Sequence, residues 1–311
     1  MKDQLIYLPG KIAVIFKPYD NICRIFENSD SSLINFEVRR DSGIEYWGFT
    51  WMNLHDSLLG VEYVKGDTRD DQKGNVALFN LKGEIVEKIY DAPKGEIAGY
   101  TYPSKNDKYL LFTTEKVEDL RMNPFEGLTR MNSIIVMDLK TKQILKILEN
   151  VGRNPNFHIN ESPWLLDEKQ FLYSISNENR IVSQNKDVIS VKDTSAGIYI
   201  YDIITDQKKL IIPGGTYGIC SPSNPEIAYV KDHSVWITDL NSNTKLIYKE
   251  SGQEKISNIH WTPDGKYIYL ALYEFSTFNL SPSKEKLIDI NSTKEIPFKK
   301  IGHGFNSYSW K

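Results

Sequence analysis

The chain has 311 residues, a net charge of −3 at pH 7 and a pI near 6.0, so it lacks the basic field expected of a protein that binds DNA or RNA. Its aromatic content of 12% favours strands over helices, because aromatic side chains pack well on a pleated surface. The longest apolar runs, such as 12–16, are far shorter than the roughly 20 residues of a membrane-spanning helix. We therefore predict an all-β protein without a nucleic-acid partner or a membrane span, with residues 1–311 forming a single domain.

The chain begins with three short apolar segments, at 4–7, 12–16 and 22–26, each of which predicts a strand. The first four residues, 1–4, do not form the charged and then apolar pattern of a signal peptide, which predicts a cytoplasmic protein. A periplasmic or extracellular location follows instead if a signal peptide has been removed. Cys23 and Cys220 fall in apolar strand segments, so we predict that both are buried thiols.

Downstream of these segments, a two-part pattern repeats along the chain. Its first half is an aromatic-bearing strand, a turn and a second strand, seen most clearly at 260–269. The aromatic residues recur about 40 to 60 residues apart, a spacing that suits four short strands and their links. The aromatic position, or its replacement by cysteine, falls at Trp51, Tyr102, Trp164, Cys220, Trp261 and Trp310.

The second half of the pattern is a β-branched strand that ends in Asp or Asn, followed by an apolar residue and a polar turn. Segment 234–240 is a clear example. The pattern predicts a third strand, a tight turn and a fourth strand. It recurs at Phe79-Asn80-Leu81, Met137-Asp138-Leu139, Tyr201-Asp202-Ile203, Thr238-Asp239-Leu240 and Ile288-Asp289-Ile290.

Six such units predict a six-bladed β-propeller of four-stranded antiparallel blades. The C-terminal segment 306–310 looks like an inner strand with nothing after it, whereas the three N-terminal segments look like strands that lack an inner one. We therefore predict that the N-terminal strands pair with the C-terminal strand and close the ring. The alternative is a β-sandwich with irregular strands.

Segment 261–269, Trp-Thr-Pro-Asp-Gly-Lys-Tyr-Ile-Tyr, resembles the WD-like repeat of TolB-type propellers, which is also similar to the propellers of dipeptidyl-peptidase-type proteins. Its Pro-Asp-Gly turn fits because Pro presets φ and Gly accepts a positive φ. Segments 102–109 and 220–225 match the repeat more loosely. The resemblance implies an architecture rather than one activity. A peptidase would also need a Gly-x-Ser-x-Gly nucleophile motif, and the sequence contains none.

The links between the second and third strands of three successive units are long, at 65–74, 114–132 and 177–197, whereas the later link at 231–233 is short. These links open on the same rim as the connections between blades, where propellers commonly bind ligands. Val117 and Leu120 stand at helical spacing, which predicts a short helix within 115–122.

The candidate ligand-binding residues lie in these links and at the starts of inner strands. Arginine guanidinium groups suit a carboxylate or a phosphate, and His and Tyr offer polar tips. Ordinary solvated charges and turn residues are the alternative interpretation. The candidates are Arg121, Arg130, Arg153, His158, Tyr217 and His303.

We predict a non-catalytic binding propeller that recognises a protein or a small molecule on the long-link rim, without a cofactor or a bound metal. The alternative is a metal-dependent enzyme of the lyase or lactonase type that acts on a carbohydrate or lactone. Its ligands would come singly from different blades, and His158, His260 and His303 could supply them. A purely structural repeat within a larger assembly is a third interpretation.

Overall fold

The regular structure consists of β-strands. The computed structural model contains 25 strands and no helix in the part of the chain that it describes. The described residues are 11–15, 22–27, 33–37, 44–68, 71–118, 129–149, 157–159, 162–175, 182–184, 187–189, 196–241, 243–251, 254–274, 284–298 and 307–310.

One four-stranded sheet, here called the closing sheet, combines the two ends of the chain. Its strand order is β25-β1-β2-β3. β25 runs antiparallel to β1, with Trp310 opposite Ile12 and Ser307 opposite Ile15. The predicted pairing of an N-terminal strand with the C-terminal strand is therefore confirmed, and the predicted strands at 12–16 and 22–26 correspond to β1 and β2. The predicted strand at 4–7 lies outside the described residues, and β3 was not predicted. The strands are β1 (Lys11–Ile15), β2 (Ile22–Glu27), β3 (Leu33–Glu37) and β25 (Ser307–Trp310).

Two antiparallel groups of four strands follow, here called sheet 1 (β4 to β7) and sheet 2 (β8 to β11). A short parallel pairing between β6 and β8 joins them into one eight-stranded sheet. The strands are β4 (Ile44–Trp51), β5 (Ser57–Val64), β6 (Lys73–Asn80), β7 (Ile85–Tyr90), β8 (Glu96–Pro103), β9 (Tyr109–Glu118), β10 (Thr129–Asp138) and β11 (Ile144–Glu149).

Three further antiparallel sheets complete the described strands. Sheet 3 has the order β12-β13-β16-β17, sheet 4 the order β18-β19-β20-β21 and sheet 5 the order β22-β23-β24, while β14 and β15 form a separate hairpin. The strands are β12 (Phe157–His158), β13 (Gln170–Ile175), β14 (Val182–Gln184), β15 (Asp187–Ile189), β16 (Gly197–Asp202), β17 (Gln207–Pro213), β18 (Thr216–Cys220), β19 (Glu226–Lys231), β20 (Ser234–Asp239), β21 (Thr244–Lys249), β22 (Glu254–Trp261), β23 (Tyr267–Glu274) and β24 (Lys284–Asp289).

The hydrophobic core is a series of apolar layers between consecutive sheets from sheet 1 to sheet 5. Phe112 belongs to the layer between sheets 1 and 2, and Phe171 to the layer between sheets 2 and 3. Ile198 and Ile227 belong to the layer between sheets 3 and 4, and a further layer, mainly aliphatic, separates sheets 4 and 5. Sheets 2, 3 and 4 thus each bury both of their faces, which explains why their strands read as nearly continuous apolar runs.

The recurring Asp or Asn ends the third strand of each of sheets 1 to 5, as the sequence predicts. Its side-chain oxygen then accepts backbone N–H groups of the following turn. Asp202 Oδ1, for example, accepts the N–H groups of Ile204 and Thr205, each at 2.9 Å. The same arrangement occurs at Asn80, Asp138, Asp239 and Asp289. This residue therefore stabilises the turn and is not by itself a sign of a ligand site.

The helix predicted within 115–122 is wrong for its first half. Residues 115–118 belong to β9, where Val117 lies opposite Arg130 of β10. The ten-residue ladder between β9 and β10 satisfies backbone hydrogen bonds that a single helical turn would leave largely unmade. The remaining residues of the predicted helix, 119–122, lie outside the described residues.

Candidate functional site

The first strands of the sheets lie next to one another and are here called the inner strands. They are β25, β4, β8, the segment 157–164 that contains β12, β18 and β22. β4 contacts both β25 and β8, and β18 contacts β22. Since the inner strands end at the turn that leads to the second strand, five of these ends meet around one space.

That space, here called the turn-side cavity, has a volume of about 360 Å³. It opens on the rim opposite the long links, because in an antiparallel sheet the link between strands two and three lies at the other end from the link between strands one and two. Its walls are mainly aromatic rings, prolines and small polar side chains. The lining residues are Thr50, Trp51, Asn53, Tyr102, Pro103, Lys105, Ser162, Pro163, Trp164, Leu165, Leu166, Ile219, Cys220, Ser221, Pro222, His260, Trp261 and Pro263.

In sheets 3 and 5 the recurring aromatic residue donates a hydrogen bond to the inner strand before it. The Trp164 indole donates to the carbonyl of Tyr102 at 2.9 Å, and the Trp261 indole donates to the carbonyl of Ile219 at 3.3 Å. Cys220 occupies the same position in sheet 4, and its thiol lies 3.3 Å from the carbonyl of Pro163. These bonds fix the spacing of the inner strands around the cavity.

Burial raises the pKa of the Cys220 thiol well above its ordinary value, so the group stays protonated at neutral pH. Cys220 is buried and free, as predicted. The side chain of Cys23 lies outside what the structure describes.

Acidic residues in the turns bind the neighbouring turn. Asp107 accepts the N–H groups of Asn53 and Leu54, at 2.8 and 2.7 Å. Glu168 accepts the N–H of Asn106 at 2.7 Å. Both acids have a positive φ, of 51° and 54°, so they place a side chain on a backbone conformation that usually favours glycine.

Gly265 takes the equivalent place in sheet 5, at the glycine of the Pro-Asp-Gly turn. It has a φ of 66°, and a Cβ added to it would lie 2.1 Å from Ser223 Oγ. The turn of sheet 5 thus packs directly against the turn of sheet 4, which gives this glycine a structural role.

Four inner strands carry a β-bulge two to four residues before the aromatic position, which the sequence analysis missed. A bulge leaves one residue without a partner and re-aims its side chain. The only sequence signal is a small residue near that point, such as Gly48, Gly99 or Gly218. The bulges consist of Gly48–Phe49 opposite Gly60, Gly99–Tyr100 opposite Thr113, Tyr217–Gly218 opposite Tyr229, and an extra residue at Ser257.

Two of these bulges expose a tyrosine on an inner strand. Tyr100 is 51% exposed and Tyr217 is 37% exposed. The Tyr100 ring lies against Gly48 of the neighbouring inner strand, 3.3 Å from where a Cβ would stand. Tyr217 has a φ of 54°, and burial followed by the charge of Tyr273 raises its pKa, so its phenol is a hydrogen-bond donor at neutral pH.

The structure describes the side chain of one predicted ligand-binding residue, Tyr217. Arg130 is in β10, and His158 is in β12 opposite Ser174, but their side chains lie outside the description. Arg121, Arg153 and His303 lie outside the described residues altogether. These five therefore remain predictions. Sequence reasoning missed Tyr100 and the existence of the turn-side cavity, although several lining residues, such as Trp164 and His260, were named there in other roles.

Of the histidines proposed as metal ligands, His260 is buried and lines the turn-side cavity. Its ring lies 6.1 Å from that of Tyr269. Among the described side chains, no group of three or more His, Cys, Asp or Glu residues could hold a metal ion. The side chains of His158 and His303 are not among them, so their convergence with His260 stays a prediction.

The antiparallel sheets, together with the likeness to solved structures, define a β-propeller fold. More particularly, the fold is TolB-like. TolB from Acinetobacter baumannii matches with a TM-score of 0.60 and 16% identity over 97% of this chain and 66% of that one, so the chain spans just under two thirds of that TolB. The putative TolB from Agrobacterium tumefaciens matches with a TM-score of 0.55 and 13% identity over 97% and 91%.

An oligogalacturonate lyase in complex with manganese matches with a TM-score of 0.58 and 10% identity, over 89% of this chain and 70% of the lyase. At such identities the likeness concerns the fold alone. No protein-family model and no curated protein matches the chain. No helix of the described segments is long and apolar enough to span a membrane.

Proposed function

We propose that the protein is a six-bladed β-propeller that binds a protein or small-molecule ligand at the long-link rim of its central channel, without catalysis. The observation that carries this proposal is the pair of exposed tyrosines at the bulges of inner strands, Tyr100 and Tyr217. Exposed aromatic residues with a polar tip are favoured in binding sites, because they offer a large contact area at a low cost in conformational entropy.

The number of sheets supports the proposal of six blades. The closing sheet and sheets 1 to 5 each supply an inner strand, and each pair of neighbours from sheet 1 to sheet 5 shares an apolar layer. The contact between β25 and β4 places the closing sheet beside sheet 1. A ring of six then requires only that sheet 5 meets the closing sheet on its other side.

The long-link rim adds polar groups to the two tyrosines. Tyr217 lies at the start of β18, on the same rim as the links 65–72, 119–128 and 176–196. Arg121, Arg130, Arg153, His158 and His303 stand in or beside these links and inter-sheet connections, and we assign to them the recognition of acidic groups on the ligand.

The binding test uses the intact chain as bait. We expect Tyr217→Ala and Tyr100→Ala each to bind the ligand captured by the wild-type protein at least about tenfold more weakly, since exposed aromatic anchors carry a large share of binding energy. The control is Leu246→Ala, which removes an exposed apolar side chain from the outer strand β21. Equal capture by all four proteins would contradict the proposal.

The competing proposal is a metal-dependent lyase, favoured by the likeness to the manganese-bound oligogalacturonate lyase and by the buried His260 in the channel. Metal content of the freshly purified protein, measured by mass spectrometry, separates the two proposals when combined with thermal melting in the presence and absence of EDTA. A stoichiometric metal whose removal lowers the melting temperature supports the enzyme, because a ligand of the folded state stabilises it. A metal-free protein that is indifferent to EDTA supports the binding module.

A further inference from the structure

We infer that the turn-side cavity is a second binding site, which takes a small anion through Lys105. This inference goes beyond the proposed function, because it concerns the opposite mouth of the channel and none of its residues belongs to the long-link rim. It starts from the charge balance of the lining. Of the 18 described lining residues, Lys105 is the only lysine or arginine, and none is an aspartate or a glutamate.

The acidic residues near this mouth are engaged elsewhere. Asp107 and Glu168 accept backbone N–H groups of the preceding turn. Asp264 accepts the Thr262 hydroxyl at 2.6 Å and the Lys266 N–H at 3.1 Å. These carboxylates are held by donors within the turns. The lining itself contains no carboxylate, so the charge of Lys105 is available to a ligand.

Neutral donors stand around the same space. Ser162 and Ser221, which each carry a hydroxyl group, line the cavity. The Ser221 oxygen accepts the N–H groups of Ser223 and Asn224, at 3.4 and 3.2 Å, which leaves its own proton to donate. A lysine with hydroxyl donors is a suitable set for a carboxylate or a phosphate, which offer several acceptor oxygens.

The walls are aromatic. Trp51, Trp164 and Trp261 line the cavity and are almost fully buried. Lys105 itself is exposed, so it can bring its charge to an anion that enters from solvent. The volume of about 360 Å³ is at the small end of the range of ligand pockets, which selects a small molecule rather than a macromolecule.

The test is a titration of intrinsic tryptophan fluorescence, for which Trp51, Trp164 and Trp261 act as reporters in the cavity wall. The probes are succinate, inorganic phosphate and the neutral analogue succinamide. We expect saturable binding of at least one anion and at least about tenfold weaker binding of succinamide, since a charge-assisted hydrogen bond is lost. Succinate and phosphate distinguish a carboxylate ligand from a phosphate ligand.

The variant is Lys105→Gln, which we expect to weaken the binding of the anion by at least about tenfold. Its matched control is Lys169→Gln, an exposed lysine in the corresponding turn of sheet 3 that is not part of the cavity lining. Equal weakening by both variants, succinamide binding as tight as succinate, or no anion binding by the wild-type protein would each overturn the inference. Tyr217→Ala, which tests the proposed function, leaves the anion titration unchanged.

Discussion

The indole nitrogen of Trp164 donates a 2.9 Å hydrogen bond to the carbonyl oxygen of Tyr102, so the repeated aromatic residue of one sheet is fixed to the equivalent position of the sheet before it. Tyr102 in turn donates its hydroxyl to the carbonyl of Ile159, at 3.0 Å. Two inner strands are thus joined in both directions through one pair of side chains. The aromatic repeat serves the contact between sheets as well as the packing within one.

Trp164→Phe keeps the ring and removes the N–H. We expect the free energy of unfolding to fall by about 1 to 3 kcal/mol, because the buried carbonyl of Tyr102 loses its donor. Urea denaturation measures the change. The control is Trp236→Phe, since the Trp236 indole N–H donates to the carbonyl of Lys231 within its own hairpin and this hydrogen bond does not join two sheets. A Trp164 variant as stable as the wild type would show that this hydrogen bond does not stabilise the contact between the sheets.

Gly265→Ala tests the contact between turns. The new Cβ would meet Ser223 Oγ at 2.1 Å, and the φ of 66° is unfavourable for alanine. Gly214→Ala is the control, since its φ of 72° is similar but no atom lies within 4 Å of the added Cβ. We expect the free energy of unfolding to fall by about 1 to 2 kcal/mol for Gly214→Ala, and by roughly 1 to 3 kcal/mol more for Gly265→Ala.

In thermal or urea denaturation, adding Ser223→Ala to Gly265→Ala is expected to recover much of the extra loss, because the clashing hydroxyl is gone. Equal losses for the two glycine variants would contradict the predicted clash.

We expect the stability of the folded protein to depend on pH through Glu254. The hydrogen bond from Lys284, 2.7 Å long, lowers the pKa of Glu254 from 4.5 to about 2, with help from the Tyr248 hydroxyl and the charge of Lys286. Because the folded-state pKa is depressed, the stabilisation is present above about pH 4.5 and is lost as the pH falls towards 2.

Unfolding free energies measured between pH 7 and pH 2.5 therefore fall more steeply for the wild type than for Glu254→Gln. Tyr248→Phe, which removes one of the donors to Glu254 at 2.9 Å, is expected to lie between them. Parallel curves for all three proteins would show that Glu254 does not contribute to the acid sensitivity.

The pairing of β25 with β1 predicts an unusual cost for a small truncation. Removing residues 307–311 deletes the strand that covers the edge of β1 over four paired residues. We expect a loss of more than about 3 kcal/mol, since each ladder hydrogen bond contributes about 1 kcal/mol. Thermal melting measures it, with a protein extended by five residues after Lys311 as the control. A truncated protein with the same melting temperature as the extended protein would contradict this prediction.

The sequence predicted the strand-ending residues well and the channel poorly. Asp138 and Asp202 are local signals, since each side chain binds the turn that follows it. The exposure of Tyr100 depends instead on a bulge opposite Thr113, which is set by pairing between strands. Tyr100 and Tyr102 look alike in the sequence, although Tyr102 is buried in an apolar layer and Tyr100 is exposed.

The turn-side cavity was missed for a related reason. Its wall needs residues as distant as Trp51 and Trp261 to meet, and no local spacing reports this. Loop length indicates a binding site on the opposite rim, because long links break the symmetry of the repeat whereas short turns do not. The short turns nevertheless converge, since five of the inner strands end around the cavity.

Because β25 joins the same sheet as β1, the closing sheet needs both residue 11 and residue 310. A ribosome makes the chain from its N-terminus, so the edge of β1 that β25 covers stays uncovered until residue 310 has been synthesised. Throughout that time the edge is a template for a strand of another molecule. The growing chain thus depends on protection by chaperones, or on rapid translation, for longer than a protein whose first strands pair with each other alone.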